Sequence, residues 1–174
     1  MQALSLPSDM APPGFDLIRQ ARKGVLRRRV DEVAGKVGLT DIEMARILNM
    51  SVRSLHGKSN TETLNLASSE RLLLLERLIH HGLTVFDGKA DLLSRWLRTP
   101  LAELAYRTGD YEPGERVPIH EVGSFAEPTP TYEATPPDPQ GTPTPQTPLS
   151  VLDTVVGFSL AEDVLGRIEW GIVG

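Results

Sequence analysis

Apolar side chains recur with a helical period through the first part of this chain, nearly vanish in a proline-rich stretch, and return near its end. The spacing predicts a helix over Phe15–Lys23, interrupted at Gly24. From Arg27 onward, Val30, Val33, Ala34 and Val37 share one face, and Gly38 is a natural helix stop. The run "TDIE" has the form of a capping box, in which the Thr40 hydroxyl accepts from the Glu43 backbone N–H and the Glu43 carboxylate reaches back. It predicts a short helix from Asp41 to Leu48 with Met44, Ala45 and Leu48 on one side. "NMS" then turns the chain, and Ser51 caps a second short helix ending near Lys58. Asn65 caps a longer one, "LASSERLLLLERLIHHGLTVF", with Leu72, Leu75, Leu78, Ile79 and Leu83 as its buried stripe. After a "DGK" turn, "ADLLSRWLRTP" predicts a helix packing Leu92, Leu93, Trp96 and Leu97, ended by Pro100.

Ten of the fourteen prolines then fall between Pro113 and Pro148, and "EPTPTYEATPPDPQGTPTPQTP" has almost no aliphatic side chain. Such a stretch lacks the apolar surface to offset ordering entropy and many of the N–H donors that regular structure needs, so an extended, polyproline-like, mobile segment is expected. Beyond it, Ser159 and Glu162 form a second capping-box pattern, predicting a helix with Ala161, Val164, Leu165, Ile168 and Ile172 buried. That helix is too short to be stable alone and is expected to pack on residues 64–105. The fold class is therefore all-α. The expected plan is an arm at 1–23, a helix-turn-helix domain at 24–63 and a small helical domain at 64–174 interrupted by the proline-rich stretch.

At 174 residues the chain can bury a sizeable core, and its charged fraction of 24% is ordinary for a soluble protein. With no cysteine, disulfides and thiolate metal sites are excluded. "MQALSLPSDMAPPGF" lacks the basic start and apolar run of a signal peptide, and no stretch reaches a membrane-spanning length, so a cytoplasmic protein with no membrane association is expected. The net charge of −5 hides an asymmetry: −2 over residues 1–18, +6 over 19–58 and −9 over 59–174. The basic third fits either a polyanion partner or a solvated helix face.

The two short helices carry the sharpest local signal. A helix-turn-helix needs a small residue where its helices cross (Ala45), a residue tolerant of the left-handed region at the turn (Asn49), and apolar anchors at the junction. Met44, Leu48, Met50, Val52 and Leu55 supply the anchors, although a plain helical hairpin would use the same pattern. The second helix would turn Ser51, Arg53, Ser54, His56 and Lys58 outward, toward operator DNA, with Arg27, Arg28 and Arg29 as the phosphate-contacting cluster. Glu76, His80 and His81 lie within helical reach of one another but lack further ligands at useful spacing, so no metal is expected. His120–Glu121 falls in the segment expected to be mobile, where a catalytic pair could not be held. Phosphate loops and nucleophile elbows are absent, and neither catalytic residues nor cofactors are expected.

"RWLRTP", "TPLSVLDT" and "DVLGRIEWGIVG", following a helix-turn-helix and "LASSERLLLLERLI", resemble antitoxins of RES–Xre toxin–antitoxin modules, which share an Xre/MbcA/ParS-type toxin-binding domain. The resemblance runs from about Gly24 to Gly174. In that family the two motif halves lie close together, whereas here "YRT" at Tyr106–Thr108 is separated from Pro148 by residues 109–147, which therefore resemble an insertion in a loop of the toxin-binding domain. The resemblance implies a cognate RES-domain toxin acting on NAD, inhibited by the C-terminal region, and an antitoxin that dimerises and represses its own promoter. Carried onto this chain, Val164, Leu165 and Ile168 would close the core. Arg167, Glu169, Trp170, Gly171, Ile172, Val173 and Gly174 would meet the toxin. The alternative is a stand-alone helix-turn-helix regulator whose C-terminal region serves only dimerisation.

Overall fold

The computed structural model describes residues 14–106 and 144–171. Residues 109–143 of the expected insertion, His120–Glu121, and Ile172, Val173 and Gly174 of the expected toxin-binding set lie outside them. In chain order the elements are α1 (Phe15–Lys23), α2 (Arg28–Val37), α3 (Asp41–Ile47), α4 (Val52–Gly57), α5 (Leu66–Val85), α6 (Ala90–Arg98), β1 (Leu101–Tyr106), β2 (Thr144–Gln146), α7 (Pro148–Val151) and α8 (Val155–Glu169). The fold is mostly helical, as the apolar period requires.

The long helix α5 is the axis of the structure. At 20 residues it spans about 30 Å, and α1, α2, α6 and α8 all pack on it. Its sequence explains this central place: Leu72, Leu73, Leu75, Leu78 and Ile79 are all buried, so the apolar surface wraps well beyond a single stripe. Gly82 lets α6 approach closely, because a Cβ there would lie 2.5 Å from the Leu93 Cδ1. Leu83 is only half-buried and Leu92 likewise. The Asn65 side chain caps α5 by accepting from the Ser68 N–H, as its position implied.

Residues 14–63 are not a separate body. Ala21 of α1, within the expected arm, is buried and contributes to the same apolar core as Leu165 of α8. Two buried serines of α5 replace missing backbone partners. Ser69 Oγ accepts from the Val25 N–H at 3.0 Å, and Ser68 Oγ donates to the Leu48 carbonyl at 2.9 Å. Arg98 of α6 donates to the Gly38 carbonyl and to Glu43, both at 3.0 Å, tying α6 to the start of α3.

Two features depart from the expectations. First, β1 and β2 pair antiparallel, with Leu101 opposite Gln146, Tyr106 opposite Thr144 and a bulge between. The paired strands bring the flanks of the proline-rich segment together, and β2 lies inside the stretch expected to be extended and mobile. Second, α8 does not start at a Ser159 cap. Thr154 caps it, its Oγ1 accepting from the Gly157 N–H at 3.0 Å, and Ser159 sits inside the helix. Glu162 is drawn instead to α5. Before it, Thr147 caps α7, a four-residue helix with proline in its first turn that buries Pro148 and Leu149.

Candidate nucleic-acid interface and partner surface

The helix-turn-helix is built from local chemistry. The Thr40–Glu43 capping box is present in both directions, with the Thr40 N–H donating to the Glu43 carboxylate at 2.7 Å. Burial alone would raise the Glu43 pKa, but Thr40 and the Arg98 guanidinium outweigh it and hold the carboxyl below its usual value. Ala45 is buried where α3 meets α4, and Asn49 takes φ 53°, the left-handed turn that a residue with a short polar side chain tolerates. Ser51 caps α4 by accepting from the Ser54 N–H at 3.0 Å, and Leu55 points inward, fully buried.

Outward from α4 stand Ser51, Arg53, Ser54 and His56, all exposed. They differ in freedom. Ser51 and Ser54 hydroxyls bond each other at 2.9 Å, and His56 Nε2 lies 2.7 Å from Asp41. Lys58 is half-buried and paired with Glu62, a contact that lowers the Glu62 pKa. Arg53 is exposed and makes no hydrogen bond or ion pair within the described residues.

The expected arginine cluster is not a cluster of surface charges. Arg27 is 7% exposed; its Nε donates to the Leu55 carbonyl at 2.9 Å and its Nη1 to Asp31 at 2.7 Å. This corrects the reading of Arg27 as a phosphate contact: successive residues of a helix point in different directions, and this one points at α4. Arg29 donates twice to Glu76, at 2.6 and 3.0 Å, and Lys36 joins the same carboxylate at 3.3 Å. Burial pushes the Glu76 pKa up, but these two cations override it and the net shift is downward. Arg28 alone of the three is exposed. Together with Lys23, which the sequence reading did not single out, it lines a cleft of about 400 Å³ beside Thr63. Lys23 sits in the last turn of α1, which ends at Gly24 with φ 83°.

The C-terminal helix divides as its spacing implied. Val164 and Leu165 are buried and Ile168 partly so, which stabilises docking by about 1.5–3 kcal/mol for each fully buried side chain. Arg167 is exposed, Trp170 is 79% exposed at the C-cap, and Gly171 turns the chain with φ 66°. Val155, Val156 and Leu160 are exposed apolar residues on the same helix. Glu169 is exposed but not free, because its carboxylate lies 3.3 Å from His81 Nε2. His81 also meets Glu162, which Arg77 of α5 contacts as well. Glu76 and His81, two of the three side chains considered for a metal, thus serve ion pairs, and no group of three or more His, Asp or Glu among the described residues can hold a metal ion.

Residues 16–77 match the family model of the antitoxin Xre-like helix-turn-helix domain. The match supports an Xre-type antitoxin or a helix-turn-helix DNA-binding regulator. The Xre-like unit is longer than the 24–63 span read from the sequence. It takes in nearly all of α1 and the first half of α5, the elements that share the core and the Ser68 and Ser69 bonds. No curated protein matches the chain. No helix among the described residues is long and apolar enough to cross a membrane.

Proposed function

We propose that this protein is the antitoxin of a RES–Xre pair. In this reading it neutralises a cognate RES-domain toxin by occluding the NAD site with the end of α8 and residues 170–174, and it represses its own operon as a homodimer through α4. The observation that carries the reading is the family match over residues 16–77 combined with the exposure of Arg167 and Trp170 on a helix whose opposite face is buried. Arginine suits an anion site that otherwise receives a nucleotide phosphate, and an exposed indole is a natural anchor for a pocket. The motifs "RTP", "PLSVLDT" and "LGRIEWG" support the RES assignment of the partner.

Deletion of residues 167–174 tests the partner half. The truncated chain keeps Val164 and Leu165 and is expected to fold, while losing at least tenfold in affinity for the RES-domain protein encoded beside it, by calorimetry. Undiminished binding and inhibition would reject the role of this end and favour the regulator whose C-terminal region only dimerises.

For DNA, we infer that Arg53 reads bases and Arg28 meets a phosphate. Arg53→Ala is expected to weaken binding to the promoter fragment upstream of the gene by about 1–3 kcal/mol without weakening binding to unrelated DNA. Arg28→Ala is expected to weaken both alike and to reduce the slope of log K against log salt by about 0.9. Fluorescence anisotropy across a salt series separates the two, and no change in either variant would mean that α4 does not dock on DNA.

A further inference from the structure

His81, projecting from the middle of the last turns of α5, stands between two carboxylates of α8 one heptad apart. Its Nδ1 is 2.8 Å from Glu162 and its Nε2 is 3.3 Å from Glu169. A neutral imidazole has one N–H, so it can donate to only one of these; the other ring nitrogen would set a lone pair against a carboxylate oxygen. Both contacts together require the imidazolium. We propose that His81 is a proton-operated latch that fastens the last turn of α8, and with it the exposed Trp170, to α5.

The two carboxylates are not equivalent. Glu162 has a second cation, Arg77 Nε at 3.3 Å, and keeps it when His81 loses its proton. Glu169 has no other partner within the described residues, and it is the last residue of α8, where the helix dipole already disfavours a negative charge. Deprotonation therefore releases the Glu169 contact first and loosens the final turn while leaving the Glu162 end fastened. The groups acting on the ring are Glu162 and Glu169 from α8, with Arg77 on its own helix sharing Glu162. The other helices packed on α5, namely α1, α2 and α6, bring no charged group to it among the described residues. Burial alone would lower the His81 pKa; the bonds to Glu162 and Glu169 and their charges outweigh burial, and the imidazole sits above its ordinary value. The latch is thus closed below a pH of about 6.5 and opens as pH rises through the raised pKa.

The latch does not depend on the identity of any partner, and its test uses the full chain alone. Two-dimensional NMR of the histidine rings is expected to show His81 titrating above the ordinary value. Hydrogen exchange of Leu165–Gly171, corrected for intrinsic rates, is expected to lose severalfold in protection as pH rises from about 6 to about 8.5, while Phe158–Ala161 stays constant. Glu169→Gln, an exposed and conservative change, should abolish the pH dependence of the last turn, and His81→Gln should do the same. Titration of His81 at or below its ordinary value, or an undiminished pH response in Glu169→Gln, would overturn the latch.

Discussion

Gly157→Ala is expected to cost about 3 kcal/mol or more and to dislodge α7 from the fold. Gly157 lies in the first turn of α8, and a Cβ there would stand 1.7 Å from the Val151 carbonyl oxygen and 2.5 Å from its carbon. The obstacle is backbone, which cannot swing aside as the tip of a side chain can. That same carbonyl accepts from the Thr154 hydroxyl at 3.2 Å and, less closely, from the Thr154 N–H at 3.3 Å, so moving it breaks the turn joining the two helices. Overpacking of a well-ordered site typically costs 1–3 kcal/mol, and a clash with main chain belongs at or beyond the upper end. Because Leu149 and Leu152 are buried through α7, relief of the clash would expose them. Gly166→Ala supplies the contrast within the same helix. Nothing lies within 4 Å of a Cβ at Gly166, and the change should stabilise by about 0.5–1 kcal/mol through helix propensity. Urea denaturation of the two variants should therefore shift in opposite directions; equal shifts would mean that the α7–α8 turn is not packed as described.

The same glycine shows where reading the sequence stops working. In "TVVGFSLAED" the Ser159–Glu162 pair looks like a helix start, and the glycine before it looks like lead-in. The helix begins earlier because Thr154 finds the Gly157 N–H, and Glu162 is claimed by His81 and Arg77 across the interface. A capping pattern records what a side chain can do locally and is silent about a better partner on another helix. By contrast, α3, α4 and α5 were legible because their caps are local, Thr40 with Glu43, Ser51 with Ser54 and Asn65 with Ser68, and α2 and α3 are followed by a left-handed Gly38 and Asn49. Strand β1 was not legible. "LAELAY" is composed of good helix formers, and its pairing partner lies far along the chain in a proline-rich segment, so tertiary pairing overrides propensity there. At the candidate interfaces, the exposure of Ser51, Arg53, Ser54 and His56 and the burial of Ala161, Val164 and Leu165 followed from spacing. The fates of Arg27, Arg29 and Lys58 did not, since a basic residue adjacent in sequence to a free one can be wholly engaged in the fold.

Arg27 gives the second large effect, and it falls on stability rather than on DNA. The last carbonyls of any helix lack intrahelical donors, and α4, with only six residues, has little else to secure its end. Arg27 Nε supplies a charged donor to the buried Leu55 carbonyl and so fastens α4 to the start of α2. The bond to Asp31 adds little, since that carboxylate is largely exposed. Arg27→Met keeps the length and most of the buried stem but removes the donor, leaving the carbonyl without a partner. A hydrogen bond involving a charged group contributes about 1.5–3 kcal/mol, and removing only its donor belongs at the upper end because the buried acceptor is left unsatisfied. A loss of about 3 kcal/mol is expected, equivalent to a fall in Tm on the order of 10 °C for a chain of this size. Arg28→Met, one residue on but exposed, should change stability by less than about 0.5 kcal/mol. On DNA the order inverts: once binding is referred to the folded fraction, Arg27→Met should leave the salt slope unchanged while Arg28→Met lowers it. A salt slope reduced by Arg27→Met with Tm unaltered would return that guanidinium to the surface and remove the proposed support of α4.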